Sequence, residues 1–328
     1  MVILVTGGAG YIGSICVEEL LKQNYDVVVI DNLKEGHRDA VLPEAVFYKG
    51  DCGDKNILEE IFRKHPIDTV MHFAAEATVG ISMTDPQPFF ENNVVQGLAL
   101  LDVMKAFQCK RMIFSSTAAV FGEPEYMPID EKHQQKPINA YGESKLMFER
   151  VLDWYHAAYG IQYNCFRYFN AAGASECLGE AHRKETHLIP IILDTALGKR
   201  KKIDIYGSDY RTKDGTCIRD YLHVVDIAQA HILGLANLDK RPNARYNLGN
   251  GIGFTNLEVL KTAEHVTGRE IPFSLAERRP GDPDCLVASS QLAKEQLGWK
   301  PEFPSLQSII GTAWQWHSKH PDGYGRSG

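Results

Sequence analysis

An apolar run that ends in glycines narrows the possible folds of this chain more than any other segment. Residues 2–6 (VILVT) lead at once into Gly7, Gly8, Gly10 and Gly13, and a helical pattern follows near 12–23. The spacing satisfies GxGxxG from Gly8 and GxxGxxG from Gly7. Glycines at these points permit a tight turn, let the backbone approach a pyrophosphate and leave room for the helix to pack on the strand. The amino end of that helix, around Tyr11 and Ile12, offers N–H groups and a partial positive charge to phosphate. A second apolar run, DVVVI (26–30), leads to Asp31, 18 residues past Gly13. A carboxylate there binds ribose hydroxyls and repels a 2′-phosphate, so the unit predicts NAD rather than NADP. Asn32 follows it directly. Asp51, after the strand-like AVFYKGD and next to Cys52, either reaches the adenine edge or sits in a surface loop.

The strand-and-helix pattern repeats. DTVMHFAA (68–75), RMIFSS (111–116) and YNCFRYFN (163–170) are further strand-like runs with apolar cores, with helical stretches at 90–107 and 141–159 between them. Strands without polar alternation are buried on both faces, which predicts an α/β fold with a doubly wound, Rossmann-type parallel sheet over residues 1–175. Beyond about residue 175 the elements shorten, predicting a smaller C-terminal α/β substrate domain over 176–328. Within it DYLHVVDIAQAHILGLAN (220–237) reads as a helix and RYNLGNG (245–251) as a strand, a return to the first domain over about 220–251. A chain of 328 residues, 44% apolar, has the length for about two such units.

Composition removes several function classes. A net charge of −7 argues against a non-specific nucleic-acid binder, which needs basic excess to offset phosphate. No apolar stretch approaches the roughly 18 residues of a membrane span. The seven cysteines (Cys16, Cys52, Cys109, Cys165, Cys177, Cys217, Cys285) are scattered, odd in number and free of any CxxC pair, and no charged and apolar leader precedes Val2. A reducing, cytoplasmic setting is the expectation. Among 12 histidines no metal site is expected: His182 and His187 are five apart, His317 and His320 lie near the end, and no carboxylate cluster completes either pair.

Tyr141 and Lys145 form the only YxxxK, and their i,i+4 spacing on a helix places both side chains on one face. An ammonium near a phenol favours the phenolate, which then takes a proton from an alcohol as hydride leaves its carbon. With 14 tyrosines a chance YxxxK is expected, but FSSTAAVFG (114–122) ends a strand in hydroxyls just ahead of it. Thr117 is placed to hydrogen-bond the same substrate oxygen. Ser115 and Ser116 read as strand-end residues.

Taken together, TGGAGYIG (6–13), HFAA (72–75), FSSTAAVFG (114–122) and YGESK (141–145) resemble the extended short-chain dehydrogenase/reductase family. RYFNAAGA (167–174), DGTCIRDYLHV (214–224), YNLGNG (246–251), RRPGDPD (278–284) and LGWKP (297–301) are similar, in collinear order over nearly the whole chain, to its branch that inverts carbon 4 of UDP-hexoses. The resemblance implies interconversion of UDP-glucose and UDP-galactose through a 4-keto sugar, with Tyr141 as base and no net redox change. It implies an NAD site lined by Gly7, Gly10, Tyr11, Ile12, Gly13, Asp31, Asn32, Asp51, Cys52, Phe73, Ala74, Ala75, Asn93, Ser115, Tyr141, Lys145 and Phe169. It implies UDP-sugar contacts from Thr117, Tyr141, Asn170, His187, Leu188, Tyr206, Arg219, Arg279, Asp282 and Leu286, with the two arginines on the diphosphate. Guanidinium suits phosphate bidentately; the competing reading pairs the arginines with Asp220 and Asp282. Relatives also pair the 90–107 and 141–159 helices across a homodimer.

The chain departs from that pattern in places. Thr117 replaces a frequent serine and keeps the hydroxyl. Ala77 stands where a lysine near the cofactor is common, and His187 where asparagine is common. Leu286 replaces a large aromatic that excludes an N-acetyl group, so some turnover of UDP-N-acetylglucosamine is expected. Ala118 and Ala119 occupy the positions where a 4,6-dehydratase keeps its acid and base, which argues against dehydration.

Overall fold

The computed structural model describes residues 1–278 and 282–325. Seven strands form one parallel sheet: β1 (Val2–Thr6), β2 (Asp26–Asp31), β3 (Val46–Lys49), β4 (Ile67–His72), β5 (Arg111–Thr117), β6 (Gln162–Tyr168) and β10 (Ala244–Leu248). Their order is β10-β6-β5-β4-β1-β2-β3. Successive residues of a strand point to opposite faces, so an unbroken apolar run feeds two layers at once. Ile3, Val5, Val27 and Val29 pack with Ile15, Leu20, Ile227 and Leu235 of helices Tyr11–Lys22 and Val224–Asn237. Leu4, Val28, Ile30 and Phe114 pack on the other side with Leu58, Leu100 and Leu152 of helices Lys55–Lys64, Gln96–Ala106 and Ala140–Tyr159. Each such fully buried side chain contributes roughly 1.5–3 kcal/mol relative to exposure.

Strand order reverses between β1 and β4, and in an open parallel sheet ligands bind in the crevice at the carboxyl ends flanking that reversal. The two ends are tied by a 2.7 Å hydrogen bond between Thr6 Oγ1 and His72 Nδ1. Burial pushes His72 down to about 3, so the ring is neutral across the physiological range.

The smaller unit carries β7 (Asn170–Ala172), β8 (Ile203–Tyr206), β9 (Ile218–His223), β11 (Gly253–Thr255), β12 (Phe273–Ala276) and β13 (Cys285–Leu286). Strand β9 pairs with β7, β11 and β13, while β8 pairs with β12. Its core includes Ile192, Leu193, Leu260, Ile309 and Ile310. This is the expected α/β architecture, with three local differences. Residues 220–223 are the end of β9 rather than helix, because partners on both sides override the local pattern; the helix starts at Val224, where His223 accepts from Val225 N–H. The 163–170 strand stops at Tyr168, and Asn170 leaves for β7 beside β9. The expected 90–107 helix contains a π-helical turn, Glu91–Val95. Among the described residues no helix is long and apolar enough to cross a membrane, and all seven cysteines are free.

Candidate active site

The glycine turn forms a cradle. Helix Tyr11–Lys22 starts after Gly10, which supplies no side-chain cap, so the first-turn N–H groups of Tyr11, Ile12 and Gly13 have no intrahelical acceptor and are available to an anion. A Cβ on Gly13 would lie 2.2 Å from Gly7 O, so only glycine lets helix and turn approach this closely. The cleft beyond is lined by Gly7, Gly10, Asp31, Asn32, Asp51 and Cys52 on one side and by Phe73, Ala74, Ala75, Glu76, Asn92 and Gln96 on the other. Asp31 closes the turn, accepting from Ala9 N–H (3.0 Å) and Leu33 N–H (2.8 Å). Burial raises its pKa and these two bonds oppose the rise. Asn32 donates to Asp51 at 2.7 Å, which fixes that carboxylate at the cleft. These groups fit a dinucleotide: an anion-binding helix end, a floor without side chains and a carboxylate pair for ribose or base.

Helix Ala140–Tyr159 brings the chemistry to this cleft. Asn139 caps it by accepting from Gly142 N–H at 2.8 Å. A Cβ on Gly142 would stand 2.4 Å from Ala119 O, so glycine lets the helix start press against the turn that follows β5. That contact sets Tyr141 close enough to Thr117 for the threonine hydroxyl to act on the phenol. Burial pushes the Tyr141 phenol up, and Thr117 pulls it part of the way back. Lys145 is not among the groups that shift this phenol here. Lys145 donates to Ser115 O at 3.0 Å, its Nζ lies 5.0 Å from the centre of the Phe114 ring, and burial brings it down to about 7. One turn further along the same face lies Glu149, wholly buried, which accepts from Ser116, Arg167 and Arg245. Ser115 Oγ is hydrogen-bonded to Tyr168. The π-helical turn points Asn93 inward: it accepts from Glu76 N–H (2.8 Å) and donates to Glu76 O (3.0 Å) and Ser144 Oγ (2.9 Å). Its side chain thus holds the cleft wall and the catalytic helix together. Phe169 packs on the Val120, Phe121 and Ile129 cluster, next to Leu286.

Strand β9 gathers the other expected residues. Asn170 donates to Asp220 O at 2.9 Å, and Leu286 pairs in register with Arg219. Arg219, nearly buried, donates to Ile218 O and Pro283 O and is paired with Asp282. Asp220 faces elsewhere, accepting the N–H groups of Asn250, Gly251 and Ala288; burial lifts it to about 6. Of the two ion pairs weighed for Arg219, the one with Asp282 forms. Tyr206 ends β8. Arg279 lies outside the described residues. Arg278, not singled out in the sequence, stacks over Tyr210 with its guanidinium 3.7 Å from the ring centre and pairs with Asp284. Leu188 opens helix Leu188–Ala196, and His187 is the residue before it.

The reading of the histidines needs correction. Glu180 and Glu185 supply the carboxylates that the spacing of His182 and His187 did not suggest, and one ligand atom from each of the four lies within 4.8 Å of the others. Burial lowers both imidazoles, yet the carboxylates more than compensate and hold His182 at about 9 and His187 at about 10. The segment that carries them also fastens the adenosine side. Arg183 donates to the carbonyls of Leu33, Lys34 and Gly36, and His37 Nε2 is 2.7 Å from Ala181 O.

A family model described as the NAD dependent epimerase/dehydratase family matches residues 3–249. The chain belongs to this family. It is 51% identical over 328 residues to a UDP-glucose 4-epimerase of Lacticaseibacillus casei, covering 99% of each chain. A crystal structure of a UDP-glucose 4-epimerase superposes with a TM-score of 0.97 at 50% identity, over 99% of this chain and 100% of that one. The structure of the Bifidobacterium longum UDP-glucose 4-epimerase in complex with NAD+ and UDP gives 0.93 at 37% identity, over 98% and 100%.

Proposed function

We propose that this chain interconverts UDP-glucose and UDP-galactose by NAD-dependent inversion at sugar carbon 4. The observation that carries the reading is that Thr117, at the carboxyl end of β5, acts on the Tyr141 phenol, while Lys145, one helical turn on, is anchored to Ser115 O of the same strand. NAD, when bound, accepts hydride from carbon 4 and returns it, and its positive ring favours the phenolate. Tyr141 takes the proton of the 4-hydroxyl and later gives it back. Thr117 hydrogen-bonds the same oxygen and holds it in line. Lys145, anchored on Ser115 O, fixes the helix face and keeps a titratable amine at the site. Residues 7–13 hold the dinucleotide phosphates, and Asp31, Asn32 and Asp51 take its adenosine. Arg219, Asn170, His187, Leu188, Tyr206, Asp282 and Arg279 hold the UDP portion, which supplies most of the affinity so that the 4-keto sugar can present either face.

Several finer readings go with this. Leu286 leaves room beside the sugar for an N-acetyl group. The NAD-binding domain is residues 1–175, rejoined by 220–251, with 176–328 completing the UDP-sugar side. Trp154 is 75% exposed, Val95 59% and Met147 37%, on or next to the helices that would pair in a homodimer. The free cysteines suit a reducing compartment such as the cytoplasm. The test is to incubate the purified protein with UDP-galactose, with and without added NAD, and follow products by NMR. UDP-glucose is the expected product, and Tyr141→Phe should abolish it while NAD stays bound. No product in either arm, or undiminished turnover by the variant, refutes the reading; absence of turnover with UDP-N-acetylglucosamine refutes the Leu286 argument alone.

A further inference from the structure

The segment from Glu180 to His187 joins β7 to helix Leu188–Ala196 and lies across the seam between the two units, with the His182 ring 6.2 Å from that of Tyr11. Its four chemistry-bearing side chains converge. His182 Nδ1 is 3.1 Å from Glu180 Oε1 and 3.4 Å from Glu185 Oε2. His187 Nδ1 is 3.0 Å from Glu180 Oε1 and 2.8 Å from Glu185 Oε1.

As hydrogen bonds these contacts are over-subscribed, since each imidazole carries at most one proton at Nδ1 and four N···O contacts must share two. The same arrangement, fully protonated, also brings two imidazolium rings to 4.9 Å between centres. Two nitrogens and two carboxylates around one point have another solution. Zinc takes tetrahedral nitrogen and oxygen ligands at about 2.0–2.1 Å, so neighbouring ligand atoms stand about 3.3 Å apart. The nitrogen–oxygen distances here, 2.8 to 3.4 Å through Glu180 Oε1 and both oxygens of Glu185, lie close to that edge, and one ligand atom from each residue lies within 4.8 Å of the other three. The carboxylate of Glu185 is oriented from outside the cluster by Thr186 N–H and His187 N–H, both at 2.7 Å, and Glu180 is 4% exposed. Such outer hydrogen bonds hold metal ligands in place.

We infer that Glu180, His182, Glu185 and His187 form a binding site for one zinc-like divalent transition-metal ion. Magnesium and calcium prefer six or more oxygens and are poor occupants of a site with two imidazoles. Binding replaces the Nδ1 protons, which are released to solvent. It leaves Nε2 of His187 as a donor, so the metal would order the imidazole expected at the substrate. The ion would also staple the segment that Arg183 and His37 fasten over the cofactor loop. This site stands whether or not the proposed activity is correct.

The test uses the full-length, NAD-containing protein. After equilibrium dialysis against Zn2+ in the presence of excess Mg2+, elemental analysis should find one zinc per chain. Co2+ in its place should give the intense visible ligand-field bands of tetrahedral coordination. His182→Gln and Glu185→Gln, each of which removes a ligand, should weaken binding by more than the roughly 100-fold that loss of an outer-shell partner can cost, with the circular dichroism spectrum unchanged. The inference is overturned by substoichiometric zinc in the wild type, by the weak spectrum of octahedral Co2+, or by folded variants that bind as the wild type does. The cobalt spectrum of the wild type decides the matter even if neither variant folds.

Discussion

Replacing Glu149 by leucine tests how the catalytic helix is held. The carboxylate is wholly buried and accepts from Arg167 through Nε and Nη2, from Arg245 Nε and from Ser116 Oγ. Arg245 would suffer little, because its side chain is 23% exposed and keeps Asp153 at 2.7 Å. Arg167 has no such outlet: it is 0% exposed, and its Nη1 already lacks a partner. Stranding one buried charge costs about 3–5 kcal/mol, against a total stability of roughly 5–15 kcal/mol. Glu149→Leu should therefore lose about 4 kcal/mol, close to a thousandfold in the folding equilibrium. Glu149→Leu combined with Arg167→Leu should recover most of it, since an apolar pair of similar volume is often as stable as a buried ion pair. Arg245→Ala, which removes a partly exposed partner, should cost about 1 kcal/mol. The assay is urea unfolding followed by tryptophan fluorescence at fixed, saturating NAD, because a ligand that binds only the folded state adds to apparent stability. A loss below about 1 kcal/mol for Glu149→Leu, or a double variant no better than the single, would refute the claim that Arg167 depends on this carboxylate.

Three further outcomes follow from the same geometry. Gly13→Ala places a methyl carbon 2.2 Å from Gly7 O, so NAD content after purification, read by absorbance and fluorescence, should fall sharply while the circular dichroism spectrum is retained. Retention of NAD at wild-type levels would show that the turn can yield. Lys145 is brought down to about 7 in the folded chain from its ordinary 10.5, so between those values the unfolded chain holds the extra proton and this group makes stability rise with pH. Lys145→Met, compared with wild type after NAD has been stripped, should flatten the slope of melting temperature against pH between about 7 and 9 and abolish turnover; an unchanged slope would contradict the assigned burial effect. Trp154→Glu should convert a dimer to monomers in light scattering after size exclusion, and an unaltered mass would move the interface elsewhere.

Much of this architecture was open to reading because buried parallel strands announce themselves: 2–5, 27–30 and 112–114 are apolar without a break. The glycine loop was equally legible, since no other residue fits at Gly13. Local pattern failed where long-range pairing decided the outcome. The DYLH segment looks helical but finds strand partners at 170–172, 253–255 and 285–286, none of them near in sequence. Tyr141 and Lys145 were recognisable by spacing, yet the burial that raises the phenol and lowers the amine was not, because it depends on elements far away in sequence. Glu180 and Glu185 escaped notice because attention to histidine spacing alone ignores carboxylates on the same short segment. Asn93 carried no sequence signal of its wall-holding role, which depends on the π-helical turn that directs it inward.

The three bonds from Arg183 to the carbonyls of Leu33, Lys34 and Gly36 carry a kinetic consequence. If the dinucleotide leaves past residues 33–36, those bonds and the His37–Ala181 contact would have to open first. A molecule retained in this way would behave as a resident prosthetic group rather than a co-substrate. Because each hydride it takes up is handed back to the same sugar, turnover is insulated from the surrounding ratio of oxidised to reduced pyridine nucleotide.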